Sequence, residues 1–341
     1  MIKKVTIYDI AKKLDITAAT VSRALNHNPN ISEATRQLVL ETAEKMNYKQ
    51  NRLALALKSG KSNNIGVIVP RVNTNFFGSV IRGIEEELDA KGYQVIICQS
   101  HNDAEKESEN IESLINSQVD AIFISTSSHD TQRFEKVLKK NIPLIFFDRK
   151  KSMENVSSVT IDDFAGGYMA TKHLIEQGCK NIAHLASGDL EIEIFKQRHA
   201  GYKQALLDYD LVYKPEFVIE TKSKIEEGKI AVEKLFALDE KIDGIFSASD
   251  FVALGAIKEI QARGLKVPED IAVVGFANEP FTDFLELTMT TIDQFPQEMG
   301  KMTAKVFLEQ AEDHNEQIKI EKKVVIEPQL IIRQSSQKKG K

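Results

Sequence analysis

From Asn64 onward the sequence alternates short, continuous apolar runs with amphipathic stretches of helical length. The runs are Ile65–Val69, Gln94–Cys98, Ala121–Ile124, Pro143–Phe147, Ile182–Leu185, Phe217–Ile219, Gly244–Phe246 and Ile271–Val274. The helical stretches include Phe76–Ala90, Gly166–Gln177 and Leu254–Ala262. A strand that is apolar at successive positions has both faces buried, as in a parallel sheet covered by helices on either side. Two such series predict an α/β body of two doubly wound parallel sheets, with a crevice where strand C-terminal ends face one another. At 341 residues the chain also exceeds what one hydrophobic core usually organises.

The first sixty residues differ in kind. They hold ten lysines and arginines against five acids, a net +5, whereas the whole chain is −5, so the remainder carries −10. A basic head on an acidic body suits phosphate-backbone binding, which is driven by counterion release.

The head reads as a small all-α unit. Thr6 and Asp9 are placed to form a capping box, after which Ile7, Ile10, Ala11 and Leu14 fall on one helical face. Asp15 and Ile16 make a turn, and Thr17 caps a second helix to about Asn26, with Val21, Ala24 and Leu25 inward. Ser32 caps a third to about Met46, with Ala34, Leu38, Val39, Thr42, Ala43 and Met46 inward. Two short helices so closely joined form a helix-turn-helix. The second helix leaves Thr17, Ala18, Ala19, Thr20, Ser22, Arg23 and Asn26 exposed to meet DNA. Hydroxyls suit phosphates, alanines suit thymine methyls, and Arg23 can span guanine O6 and N7.

The string from Thr6, TIYDIAKKLDITAATVSRALN, and the linker Asn51–Leu57 strongly resemble the head and hinge of the LacI/GalR family of bacterial regulators. The resemblance runs from Val5 to Pro70 and resumes at intervals to Arg333. It implies a helix-turn-helix domain over 1–49, a hinge helix and linker over 50–61, and a periplasmic-binding-protein-like effector and dimerisation domain over 62–334. Lobe one is expected at about 62–160 plus 293–322, lobe two at about 161–292 plus 323–334, and a tail at 335–341. It also adds Thr6 and Tyr8 to the DNA-binding residues, with Asn51, Ala54 and the minor-groove wedge Leu57 in the hinge. Gln50 and Leu55 stand where the family usually has proline and arginine, which predicts a looser hinge off DNA and more reliance on Arg52 and Lys58.

Within the body the resemblance assigns Phe77, Asp148, Arg149, Arg198, Ser249, Asp250 and Gln294 to an effector pocket, with Arg71 near its rim. Phe76 has a competing role as core, and Asp250 as a cap for the helix containing Leu254. Ala277, Ser223 and Ser249 depart from the family's neutral-sugar pattern. With Arg149 and Arg198 retained, they point to a sugar acid, sugar phosphate or other anionic metabolite.

Other classes find less support. No GxGxxG follows the first strand, which reads IGVIVPRVN, and neither a Walker lysine loop nor GxSxG occurs, so no enzyme and no cofactor is expected. The seven histidines lack metal-ligand spacing; His173 and His184 read as packing or capping residues, and Cys98 and Cys179 as buried small hydrophobes. Charges interrupt the N-terminal stretch where a signal peptide needs an apolar core, and no run approaches eighteen apolar residues. The expected location is the cytoplasm, with no membrane partner, which separates this chain from a secreted binding protein. The expected partners are double-stranded operator DNA, a small-molecule effector and a second copy of the chain, since palindromic operators demand two-fold symmetry. No leucine heptads follow Arg333, so a dimer rather than a coiled-coil tetramer is expected.

Overall fold

The computed structural model describes residues 5–48, 61–127, 130–188, 192–312 and 321–338. It forms two compact units, Met1–Ser62 and Asn63–Lys341.

The first unit contains α1 (Ile7–Leu14), α2 (Ala18–Leu25) and α3 (Glu33–Lys45). The backbone N–H of Thr6 donates to Asp9 Oδ2 at 2.8 Å, and Asp9 N–H donates back to Thr6 Oγ1, completing the capping box. Thr17 and Ser32 accept from Thr20 and Thr35 N–H to start the next two helices. Asp15 ends α1 in the left-handed region, at φ 51°, and makes the turn tight. Ile10, Ala11, Val21, Ala24, Val39 and Ala43 form the core. The inward face of α3 is narrower than its apolar pattern suggests: Ala34 is exposed and Leu38 is half exposed, because α1 and α2 are too short to cover both.

The second unit begins with β1 (Asn64–Val69), α4 (Asn75–Asp89), β2 (Gln94–Gln99), α5 (Ala104–Asn116), β3 (Ala121–Ile124), α6 (Gln132–Lys139), β4 (Leu144–Phe147) and β5 (Ser157–Ile161). Then follow α7 (Asp163–Glu176), β6 (Ile182–Ser187), α8 (Glu193–Asp208), β7 (Val218–Thr221), α9 (Ile225–Phe236), β8 (Gly244–Ser247), α10 (Asp250–Ala262) and β9 (Ala272–Phe276). The chain ends through α11 (Phe281–Phe284), β10 (Thr290–Asp293), α12 (Pro296–Glu312), β11 (Lys323–Ile326) and β12 (Gln329–Ile331). One sheet has the order β11-β5-β4-β3-β1-β2 and the other β12-β10-β9-β8-β6-β7. The chain passes between them three times, after β5, β10 and β11.

Four differences from the sequence reading stand out. Strand β11 pairs with β5, so residues 323–326 complete the first lobe, and the last crossing comes after Ile326. Strand β12 runs antiparallel to β10, so the second sheet is mostly rather than wholly parallel. Residues 335 and 336 are structural instead of tail: Ser335 Oγ donates to the Val273 carbonyl at 2.6 Å, and both serines are buried. Phe217 ends a 3-10 turn and the strand runs on from Val218 to Thr221. Of the two free thiols, Cys179 is buried and Cys98 is only half-buried.

Three helix pairs share one packing device. A Cβ on Gly83 would fall on the Gln297 carbonyl and one on Gly300 on the Val80 carbonyl, so α4 and α12 meet backbone to backbone. Gly167 and Gly201 do the same between α7 and α8, and Gly228 and Gly255 between α9 and α10. The α7–α8 contact matters most for the crevice, since Gly167 lies against the backbone of Arg198.

Candidate functional site

The C-terminal ends of the strands from both lobes face an open cavity of about 130 Å³. Phe76, Phe77, Asp148 and Arg149 line it from the first lobe, and Phe195, Arg198, Ser223, Ala248, Ser249, Phe276 and Ala277 from the second; Gln294 lies on a crossing segment. Six of the seven residues expected in the pocket are therefore brought together. Asp250 is the exception. It sits behind the cavity, where Oδ1 accepts from Thr291 Oγ1 at 2.7 Å and Oδ2 from Glu279 N–H at 2.8 Å, tying the start of α10 to two neighbouring segments. Arg71 is exposed and does not line the cavity. Phe76 lines it with one half-buried face and meets Phe77 edge to face at 5.0 Å between ring centres.

Arg198 is the centre of the arrangement. Nε donates to Asp163 Oδ1 at 2.8 Å, Nη1 to the Ala248 carbonyl at 3.3 Å and Nη2 to Gln294 Oε1 at 3.2 Å. The guanidinium also lies 3.7 Å from the centre of the Phe276 ring, a cation–π contact. Burial raises the Asp163 carboxyl to about 6, against the opposing pull of Arg198. In the first lobe Asp148 accepts from Ser125 Oγ at 2.8 Å and lies 3.8 Å from Arg149 Nε, while Arg149 Nη1 donates to Asn102 at 2.8 Å. Burial pushes Asp148 up and Arg149 down, each opposed by the other's charge.

These pairings correct one inference from the sequence. Both arginines already have carboxylate partners, so their presence gives no ground for an anionic ligand. Asp163 was not legible as a site residue, because its Asp-Asp context at the head of a helix reads equally as a cap; Asp162 is in fact the cap, accepting from Ala165 N–H. Phe195 and Phe276 were likewise missed, because a single apolar residue carries no local signature that separates a ligand contact from core. Three lining residues, Asp148, Ser223 and Ala277, have positive φ, of 59°, 51° and 122°. Ala277 lies in a region that side chains rarely adopt, the kind of strain that collects at ligand clefts.

The two histidines singled out are packing residues. His173 bonds Ser336 Oγ at 2.7 Å, and His184 stacks on Phe246 with ring centres 4.7 Å apart, its pKa drawn down to about 3 by burial.

On the head, Thr6, Thr17, Ala19, Arg23 and Asn26 are exposed and Tyr8 is 72% exposed, whereas Ala18, Thr20 and Ser22 are half-buried. The Arg23 side chain makes no hydrogen bond or ion pair among the described residues, while its backbone carbonyl accepts from Asn28 N–H at 3.0 Å. The hinge candidates Asn51, Ala54 and Leu57 lie outside the described residues, as do Gln50, Arg52, Leu55 and Lys58. Among the described residues no helix is long and apolar enough to cross a membrane.

A helix-turn-helix head joined to a two-lobed body with a ligand-sized crevice defines a class of sensor that reads DNA and a small molecule. Residues 6–51 match the family model described as bacterial regulatory proteins, lacI family, and residues 62–328 match periplasmic binding proteins and sugar binding domain of LacI family. The chain is 34% identical over 303 residues to catabolite control protein A of Priestia megaterium, covering 89% of this chain and 91% of that one. It is 33% identical over 337 residues to the HTH-type transcriptional regulator DegA of Bacillus subtilis, covering 98% of each. A solved complex of the transcriptional regulator CelR with cellobiose superposes with a TM-score of 0.72 at 26% identity, over 97% of this chain and 100% of that one. The chain belongs to the LacI family of bacterial regulatory proteins. It is a DNA-binding transcriptional regulator under effector control, and not an enzyme.

Proposed function

We propose that the chain is a cytoplasmic, homodimeric repressor whose operator affinity is set by a sugar bound between the lobes. The observation that carries this reading is the shared cavity: Asp148 and Arg149 reach it from one lobe and Arg198 and Ser249 from the other. A ligand bonded to both sets fixes the angle between the lobes, and through the dimer the spacing of two hinge segments. The lining suits a sugar. Phe77 and Phe195 offer ring surface, while Asp148, Arg149, Arg198, Ser249 and Gln294 offer convergent hydrogen-bonding groups. The family model's sugar-binding domain and the cellobiose complex of CelR support the same class.

The head reads the operator through α2, with Arg23 as base reader and Thr6, Tyr8, Thr17, Ala19, Thr20, Ser22 and Asn26 on backbone or base edges. Asn51, Ala54 and Leu57 act as the hinge. The test is anisotropy of a labelled operator, selected from genomic fragments bound by the protein, with and without a sugar panel. A sugar that shifts the operator Kd at least several-fold in wild type and leaves Arg198→Met unaffected supports the reading. A panel that binds the crevice without altering operator affinity overturns it.

A further inference from the structure

The crevice does not end at the inner cavity. A second chamber of about 270 Å³ adjoins it on the side of the crossing segments and shares Asp148, Arg149 and Ile194 with it. Its walls come from Thr126–Ser127 and Arg149–Lys151 of the first lobe, from Thr160–Phe164 at the first crossing, and from the start of α8. The inner cavity alone is below the roughly 300 Å³ of a typical small-molecule pocket and the two spaces together exceed it, so the crevice has room for a ligand that extends into this chamber.

Two buried donors in the chamber have no hydrogen-bond partner among the described residues: Ser127 Oγ and Arg149 Nε. Buried polar groups are normally satisfied, and Arg149 Nε has the Asp148 carboxylate 3.8 Å away, so Ser127 Oγ is the donor left for something that enters the chamber. The carboxylates around them are engaged. Asp148 accepts from Ser125, Asp163 from Arg198, Asp162 from Ala165 N–H, and Glu193 from Gln197 Nε2 at 2.6 Å. Charge is balanced across the two chambers, with Arg149, Lys150, Lys151 and Arg198 against Asp148, Asp162, Asp163 and Glu193. A balanced wall with an open donor is matched by hydroxyl and ether oxygens rather than by a net charge, which would leave one side of the balance uncompensated.

We infer that the effector is an uncharged glycoside of two units, one ring in the inner cavity and the second in the chamber, where Ser127 Oγ donates to one of its oxygens. This rests on the sugar reading of the same crevice and narrows it.

The full-length chain is titrated by calorimetry with glucose, galactose and mannose, with cellobiose, maltose, lactose, melibiose and mannobiose, and with glucose 6-phosphate. At least one disaccharide is expected to bind about tenfold or more tighter than either of its component monosaccharides, the gain of one or two well-made hydrogen bonds. In Ser127→Ala that gain should fall to about two- to threefold, and in Ser127→Leu, which fills the chamber, it should vanish; thermal unfolding of each variant reports its fold. Monosaccharides that bind with no gain from a second ring overturn the two-unit inference and leave the sugar reading intact. Tightest binding by glucose 6-phosphate overturns the uncharged assignment. Failure of every sugar to bind overturns both readings together.

Discussion

Arg198 and Asp163 form a buried ion pair, Nε to Oδ1 at 2.8 Å, whose two members come from helices α8 and α7 that touch backbone to backbone at Gly167 and Gly201. Removing one member leaves the other buried without its charge partner. Arg198→Ala should therefore destabilise the Asn63–Lys341 unit by about 3 kcal/mol, more than the loss of one neutral hydrogen bond. Adding Asp163→Asn should restore part of that loss, because the second change removes the uncompensated carboxylate. Urea unfolding of the four proteins of this cycle measures the coupling, and additive losses would show that the pair is not a unit.

The glycine-mediated contacts lead to a second expectation. At Gly83 a methyl group meets the backbone carbonyl of Gln297, which cannot swing aside as a flexible side chain would. Gly83→Ala should cost about 1–3 kcal/mol despite alanine's better helix propensity, because α4 and α12 must separate. Gly78→Ala serves as the control: it lies on the same helix with nothing within 4 Å of the added methyl, and should be neutral or slightly stabilising. Thermal unfolding of the two variants side by side decides the matter.

Particular residues show what could and could not be read from the chain. The caps Thr6, Thr17 and Ser32 were legible because N-capping is local chemistry, complete within four residues. Strands such as Ala121–Ile124 were legible because continuous burial writes continuous apolarity. Strand Ser157–Ile161 was not: it is fully buried yet begins with two serines, and Ser157 Oγ is satisfied by Gln310 and by Lys322 N–H far along the chain. The pocket followed the same division. Phe77, Arg198 and Gln294 were found through motif resemblance, but the ion pairing of Arg198 with Asp163, and hence the neutrality of the crevice, depends on contacts between helices that no local pattern records.

Glu279 supplies a pH dependence. Its carboxyl is buried beside Asp250, and burial first, then the Asp250 charge, raise its pKa from 4.5 to about 7. Between those values the folded chain holds a proton that the unfolded chain has released, so stability falls as pH rises from about 4.5 to 7. Glu279→Gln removes this contribution. The variant should match wild type near pH 4.5 and exceed it at pH 8, with a flatter profile of urea midpoint against pH. Parallel profiles would show that Glu279 ionises normally in the folded chain.

Arg23 separates base reading from phosphate binding on the head. It is exposed on α2, and no hydrogen bond or ion pair among the described residues orients its side chain, which is free to extend into a groove. A bidentate contact to guanine contributes about 1–3 kcal/mol of discrimination, whereas a phosphate contact weakens binding to all sequences alike. Arg23→Ala should therefore reduce operator affinity roughly 5- to 150-fold and leave affinity for unrelated DNA nearly unchanged. Because the substitution is on the surface and α2 keeps its Thr17 cap and its buried Val21 and Ala24, the fold of the head should be retained, as circular dichroism would show. Operator and non-operator duplexes titrated at two salt concentrations distinguish the cases. Equal losses on both, accompanied by a salt slope shallower by about one, would assign Arg23 to the phosphate backbone instead.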